Sequence, residues 1–318
     1  MFDSAMVDKI LIEPILRGAQ KLLVISGYAT PTMASWHMMR IKELGLKPID
    51  IQLIVGMTNY GGLTIDAHEG FTQLVNAQNK SNLSSFQCQY IFQGAPLHSK
   101  IYLWLKDDVP FEAYTGSANY TQAGFSTNRR EYIVPCNAEE AFDYFNNVEC
   151  DSIYCTHSEI EDNIVLTPTH PVLDSESEHT HTFRGEGIIP VTLSLLARNG
   201  ETGCKSGLNW GQRAGREPNQ AYIGLPATVA RTGFFPLGKQ HFSVVTDDNK
   251  QLILRVEQQN DKAITTPMNN SLLGEYFRNR IGVANGAYIA RADLETYGRT
   301  DVNFYKLDEE HYYMDFSV

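Results

Sequence analysis

Residues Leu97–Leu105 read LHSKIYLWL, an apolar, strand-like run that carries a histidine and a lysine two positions apart. Strand side chains alternate between faces, so His98, Lys100, Tyr102 and Trp104 share one side, and Ser99, Ile101, Leu103 and Leu105 take the other. A lysine beside a histidine on a mostly buried face is costly unless something anionic meets them. Taken alone, so short a pattern reads as a strand end that surfaces, with both groups in water. The flanking sequence decides between the two readings.

Downstream lies YTGSANYTQAG at Tyr114–Gly124, followed by RREYIV from Arg129. Asn119 comes 21 positions after His98, and Glu131 comes 12 after Asn119. Upstream, KLLVISGYA (21–29) and IDIQLIVGMT (49–58) read as buried strands, with TMASWHMMRIKEL between them at helical spacing. IDAHEGFTQLVNAQ then reads as a helix, and FQCQYIFQ, EAYTGSAN and REYIVPC as strands, before a helix from Ala138. Such alternation predicts an α/β domain with a mixed sheet.

H-x-K, then G-S-x-N, then a carboxylate a dozen residues on resembles the phospholipase D superfamily, in its single-motif nuclease branch. The fuller family motif has an Asp a few residues after the Lys. Here Leu105 stands five after Lys100 and the first acid is Asp107, a loss usual in the nuclease branch, which weighs against a phospholipid substrate. The chemistry suits these residue types. Charge grows on the equatorial oxygens of a phosphodiester under displacement, and fixed donors around them lower the barrier. Lys100 supplies a charge and Asn119 an amide donor, and Ser117 with the backbone of 116–118 adds more. His98 is a nucleophile able to form a phosphohistidine that water later opens. Glu131 is expected to hold its ring through the other nitrogen, as a triad carboxylate does. No metal or other cofactor is expected. A second histidine must protonate the leaving oxygen. None of the other eight histidines has a Lys two positions on. The resemblance implies that two subunits pair so that two copies of His98 face one phosphate, a homodimer.

The second half has a different texture. EDNIVLTPTHPVLDSESEHTHTF (161–183), with two prolines, many Ser/Thr and no aliphatic periodicity, reads as a linker. Short strands between Gly- and Asn-rich turns follow: GIIPVTLSLLA, QAYIGLP, HFSVVTDDNKQLILRVEQQ, GAYIA and VNFYKLDEEHYYMDF, with a hairpin around 247–250. One amphipathic helix, SLLGEYFRNRIGV, interrupts them. The pattern predicts a β-barrel with a helix or two. The expected division is 1–160, a linker at 161–180, and 181–318.

Net charge is −11, a poor start for holding a polyanion, but it is uneven. Residues 1–160 hold 11 Lys+Arg against 17 Asp+Glu, residues 161–180 none against 5, and residues 181–318 hold 15 against 15, ten of the bases being arginines. Local patches therefore matter more than the total. The glycine-rich, basic stretch 197–226 reads either as a solvated loop or as a recognition loop, since Arg, Asn and Gln make paired hydrogen bonds to guanine and adenine edges. GCKS at 203–206 lacks the spacing of a phosphate-binding loop.

SGLNWGQR and the run from Leu272 to Lys306 resemble the NgoFVII-type restriction endonucleases, in which a phospholipase-D-like nuclease is joined to a B3-like pseudobarrel. The resemblance covers nearly the whole chain in the same domain order. It implies two arms that grip the major groove. The first is placed at Asn209–Asn219, with Asn209, Trp210, Gln212, Arg213, Arg216 and Asn219 as contacts. The second is placed near Gln259–Thr266, with Lys262. Arg278 and Arg280 lie two apart on a helix and diverge, one toward phosphate or into a structural pairing with Glu275 or Asp293. The resemblance further implies a short, GC-rich site in double-stranded DNA, a companion DNA methyltransferase, and work alongside a separate ATP-hydrolysing translocase, for which this chain has no motif of its own. The alternatives are a non-specific or phospholipid phosphodiesterase and a DNA-binding regulator with a decayed nuclease domain. The intact His98, Lys100, Asn119 and Glu131 set argues against the last.

Five scattered cysteines suit a reducing cytoplasm. Cys150, Cys155 and His157 lack the further pair that zinc would need. The first sixteen residues lack a basic start and a cleavable apolar core, so no signal peptide is expected. No run of eighteen apolar residues occurs. A prokaryotic cytoplasmic protein is expected.

Overall fold

A computed structural model describes residues 3–77, 83–168 and 187–318. The chain divides into two compact units, Met1–Thr169 and His170–Val318. Residues 161–168, expected to be linker, instead carry a helical turn at Ile160–Asn163 and a short strand, β9 (Leu166–Thr167). That strand pairs in parallel with β3 (Leu63–Thr64) and so belongs to the first unit. The rest of the expected linker, 169–180, lies outside the described residues.

In the first unit near-continuous apolar runs, which can be buried on both faces, give β1 (Lys21–Ser26), β2 (Asp50–Val55), β4 (Ser85–Ile91) and β5 (Ile101–Lys106). The more exposed β6 (Val109–Gly116), β7 (Ile133–Cys136) and β8 (Ser152–Tyr154) complete the set. They form one sheet in the order β7-β6-β5-β1-β2-β4-β8. β1, β2 and β4 run parallel, while β5 is antiparallel to β1 and starts an antiparallel β5-β6-β7 meander. Three helices are started by side-chain caps: Thr30 for Pro31–Glu43, Thr64 for Ile65–Asn76 and Asn137 for Ala138–Glu149. The predicted alternation of β5 holds. Ile101, Leu103 and Leu105 pack with Ala141 and Phe145 of the last helix. Tyr102 and Trp104 face the other way, and Trp104 Nε1 donates to the Ile10 carbonyl at 2.8 Å. Truncating so large a buried side chain costs about 3–5 kcal/mol.

The second unit is a twisted seven-stranded sheet. Its strands are β10 (Val191–Ser194), β11 (Ile223–Gly224), β12 (His241–Thr246), β13 (Gln251–Glu257), β14 (Ala263–Thr265), β15 (Asp301–Lys306) and β16 (His311–Asp315). Their order is β10-β15-β16-β12-β13-β14-β11, and the two edge strands lie against each other, which nearly closes a barrel. The expected hairpin joins β12 to β13, with Asn249 in the left-handed region at φ 56°. The expected amphipathic helix is Ser271–Ile281, stopped by Gly282 at φ 72°. Its buried face, Leu273 and Phe277, packs into the barrel core with Phe242, Leu254, Phe304 and Tyr312.

One expectation fails here: GAYIA (286–290) is not a strand. Of the expected second arm, 259–266, the half formed by β14 and Thr266 is buried, while the turn before it surfaces with Lys262 exposed and Gln258, Asn260 and Asp261 at positive φ.

Candidate functional site

Strand direction assembles the first site. β5 is antiparallel to both β1 and β6, and β7 is antiparallel to β6. The carboxyl ends of β1 and β6 and the amino ends of β5 and β7 therefore share one edge of the sheet. His98 and Lys100 lie on the approach to β5, three residues and one residue before its start. Ser117 and Asn119 follow β6 directly, and Glu131 precedes β7.

The arrangement is polar and uneven in exposure. His98 is exposed, whereas Lys100 is buried, with 4 % of its surface exposed. The Lys100 ammonium lies 3.1 Å from each ring nitrogen of His98 and donates to the His98 carbonyl at 2.7 Å. Burial pushes the Lys100 pKa down, and the nearby Glu131 carboxylate partly restores it. Asn119 Oδ1 accepts from the Tyr28 backbone N–H at 3.1 Å and lies 3.3 Å from Ser26 Oγ, whose single proton it shares with the Tyr28 carbonyl. With the oxygen so occupied, the NH2 group of Asn119 is left as a donor for a ligand. Glu131 accepts a short hydrogen bond from Ser117 Oγ, which in turn accepts from Tyr132 N–H at 3.0 Å. Glu131 was expected to hold the His98 ring; it holds Ser117 instead and acts on Lys100 through its charge.

Sequence reasoning missed the contribution of β1. Ser26, fully buried, accepts from Tyr120 N–H at 2.9 Å and donates to the Tyr28 carbonyl at 2.6 Å. Gly27 is required by close approach: a Cβ there would stand 2.9 Å from His98 Cδ2. Tyr28 sets its ring edge-on to His98, centroids 5.9 Å apart. The only available signal was SGYA ending an apolar strand. Tyr102, on β5, ties down the loop by donating to the Ala118 carbonyl at 2.9 Å.

In the second unit several expected DNA contacts turn inward. Asn209 is completely buried, with its amide nitrogen on the Ile289 carbonyl at 2.8 Å and its oxygen on Ile289 N–H at 2.9 Å. Asn219 accepts from Gly286 N–H at 2.6 Å, and Gln212 donates to the Gly286 carbonyl at 3.0 Å. Arg278 is also completely buried, donating to the carbonyls of Ala287, Gly274, Leu208 and Pro218. These side chains satisfy backbone groups of 286–289, which explains how GAYIA does without a sheet partner. Arg280 pairs with Asp247, at 3.0 and 2.6 Å, and with Asp248, so it meets neither Glu275 nor Asp293. Burial works against the Arg280 charge, but its bond to Asp247 more than offsets this and raises its pKa. Asp293 instead caps the helix Arg291–Tyr297.

Arg213, Arg216 and Lys262 remain exposed. Arg213 spends only Nε, on the Lys205 carbonyl at 2.8 Å, so its terminal fork is open. Arg216 stacks on Trp210, 4.0 Å above the ring, with one nitrogen on Gln220 Oε1. Trp210 is therefore a platform for Arg216 and is itself braced edge-on by Tyr222.

Among the described residues no group of three or more His, Cys, Asp or Glu could hold a metal ion, which covers Cys150, Cys155 and His157. No helix among them is long and apolar enough to cross a membrane.

Residues 4–162 match the family model of the NgoFVII restriction endonuclease N-terminal PLD domain. Residues 183–308 match that of the NgoFVII C-terminal B3-like DNA-binding domain. No curated protein matches the chain. Among solved structures, the phospholipase D family member Nuc from Salmonella typhimurium is similar at 16% identity and TM-score 0.33, over 46% of this chain and 88% of that one. NucT from Helicobacter pylori is similar at 13% identity and TM-score 0.31, over 48% and 96%.

Proposed function

Because this chain belongs to the NgoFVII restriction endonuclease family, with a PLD phosphodiesterase domain and a B3-like DNA-binding domain, we propose that it cuts double-stranded DNA through a phosphohistidine on His98. The observation that carries the reading is the gathering of exposed His98, the Lys100 ammonium and the free Asn119 NH2 at one sheet edge. A ring nitrogen of His98 attacks phosphorus as the bond to the leaving nucleoside oxygen breaks, and water then opens the P–N bond. Lys100 and Asn119 stabilise the charge on the phosphoryl oxygens, so the reaction runs without a metal. Ser117 and Glu131 fix the loop after β6 and keep Lys100 charged. The leaving oxygen takes its proton from His98 of the partner subunit, which makes the homodimer the active form.

In the second unit we assign DNA contact to Arg213 and Arg216, with Trp210 supporting the latter, and to Lys262. The arginine forks favour a G·C-containing site. A separate ATP-dependent translocase and a protecting methyltransferase complete the proposed system.

Digestion of mixed-sequence plasmid DNA in EDTA, followed by end sequencing, tests the reading. Discrete cuts that persist in EDTA are expected, with none from His98→Ala and none from dimers mixing the two chains. Activity lost on chelation and restored by magnesium would refute the mechanism. Half activity in mixed dimers would show independent sites.

A further inference from the structure

The Tyr28 ring is 51 % exposed beside the exposed nucleophile candidate. Its hydroxyl has no hydrogen-bond partner among the described residues. The backbone of the same residue is clamped on both sides, its N–H to Asn119 Oδ1 at 3.1 Å and its carbonyl to Ser26 Oγ at 2.6 Å. Ala29 adds an isolated bridge to Tyr120. A large aromatic ring is thus held at the mouth of the site by a backbone that cannot drift relative to Asn119. Stability does not explain the exposure, because burying the ring would serve the core better.

From this geometry we infer that Tyr28 packs against the nucleoside next to the scissile phosphate and so positions the phosphodiester over His98. The ring stands at 78° to the His98 ring and is half exposed, so it presents apolar surface to solvent beside the nucleophile for a base or sugar. A phosphate within reach of His98, Lys100 and Asn119 carries a nucleoside on either side, and Tyr28 is an exposed aromatic group whose ring lies against His98 itself. Base–aromatic contact is tolerant of sequence because every base has a π-face. This suits a nuclease unit that leaves sequence reading to another domain. The inference rests on the nuclease reading above.

The test uses the full chain and a duplex taken from a mapped cut, with single-turnover rates for the wild type, Tyr28→Phe and Tyr28→Ala. Each is assayed on the intact duplex and on duplexes with an abasic position on either side of the cut. Tyr28→Phe should cut at nearly the wild-type rate. Tyr28→Ala should be about ten- to a hundredfold slower at the same duplex concentration. One abasic position should slow the wild type by a similar factor and leave Tyr28→Ala no slower than before. Losses that multiply would mean that Tyr28 only orients His98, and would overturn the inference. So would an unchanged Tyr28→Ala rate, or dissociation of its dimer in sedimentation, which would make the ring a subunit contact. No cutting by the wild type would remove the nuclease reading itself, whereas cutting with Tyr28→Ala at full speed removes this inference alone.

Discussion

The Lys100 ammonium stands 3.1 Å from the ring nitrogens of His98, and the lysine is buried while the histidine is exposed. A strand lead-in explains the difference. Lys100 points with Tyr102 and Trp104 into the interior, and its long stem brings the charge back to the surface edge where His98 sits. The anion that the pair needs would come from the substrate.

This placement sets a pH limit on the alkaline side. Burial lowers the Lys100 pKa from its ordinary value of 10.5, and Glu131 raises it in part. Lys100 must be charged to act, so activity should fall as pH rises through a midpoint below that ordinary value. Glu131→Gln removes the negative charge that raises the pKa and should move the midpoint lower still, whatever it does to the maximum rate. A pH–rate profile of the residual activity checks this; a midpoint that stays or rises contradicts the electrostatic role of Glu131.

Asn119→Asp should preserve the acceptor that Tyr28 N–H and Ser26 Oγ require. It replaces the free donor with an anionic oxygen facing the phosphate. Loss of one oriented donor at such a site typically costs ~10²–10³ in rate, and charge repulsion adds to it. Single-turnover kinetics with melting curves would check it. A stable variant that retains more than a tenth of the rate would take Asn119 out of the phosphate site.

His37 links three segments of the first unit. Its Nδ1 meets Tyr120 Oη at 2.9 Å and its Nε2 meets the Leu11 carbonyl at 3.1 Å. Burial pushes its pKa down from 6.5 to about 4. The unfolded chain therefore binds more protons through that interval, and stability falls as pH drops from about 6.5 to about 4. The loss is on the order of 3 kcal/mol. His241 in the second unit is depressed in the same direction by burial and by Arg255. Thermal melting from pH 7 to 4 should show the slope, and NMR should find the His37 ring neutral at pH 6. A midpoint near the ordinary histidine value would refute it.

Much of the candidate site was legible because His98, Lys100, Asn119 and Glu131 flank the strands of one meander, so sequence spacing maps onto one sheet edge. Ser26 and Tyr28 enter from β1, about seventy positions away, through residue types that carry no pattern of their own. The second domain was harder for a chemical reason. The groups that read base edges also satisfy backbone carbonyls and amides, so identity alone cannot separate Arg213 from Arg278, or an exposed amide from Asn209. Burial separates them, and burial was not written in a loop without periodicity. GAYIA was misread as a strand, because its apolar residues are held by side chains such as Asn209 and Arg278 rather than by a neighbouring strand.

That separation gives the last prediction. Arg278 donates to four carbonyls with no exposure to solvent, so Arg278→Ala strands several buried acceptors at about 1–3 kcal/mol each. It should unfold or loosen the second unit, abolishing binding to cognate and scrambled duplexes together. Arg213 makes one bond to a carbonyl and leaves its fork in water, so Arg213→Ala should melt like the wild type. If the fork reads guanine, its loss costs roughly 1–3 kcal/mol on the cognate duplex alone, about tenfold or more in affinity. If instead it meets phosphate, all duplexes weaken alike and the salt slope falls by about one. Arg216→Ala should behave as Arg213→Ala does, and Trp210→Ala should reproduce the Arg216 loss by removing the platform 4.0 Å beneath it. Binding of cognate and scrambled duplexes over a salt series, with melting curves alongside, separates the cases. Equal losses on both duplexes for Arg213→Ala and Arg216→Ala, at wild-type stability, would make this loop a backbone clamp and move recognition to the exposed turn carrying Lys262.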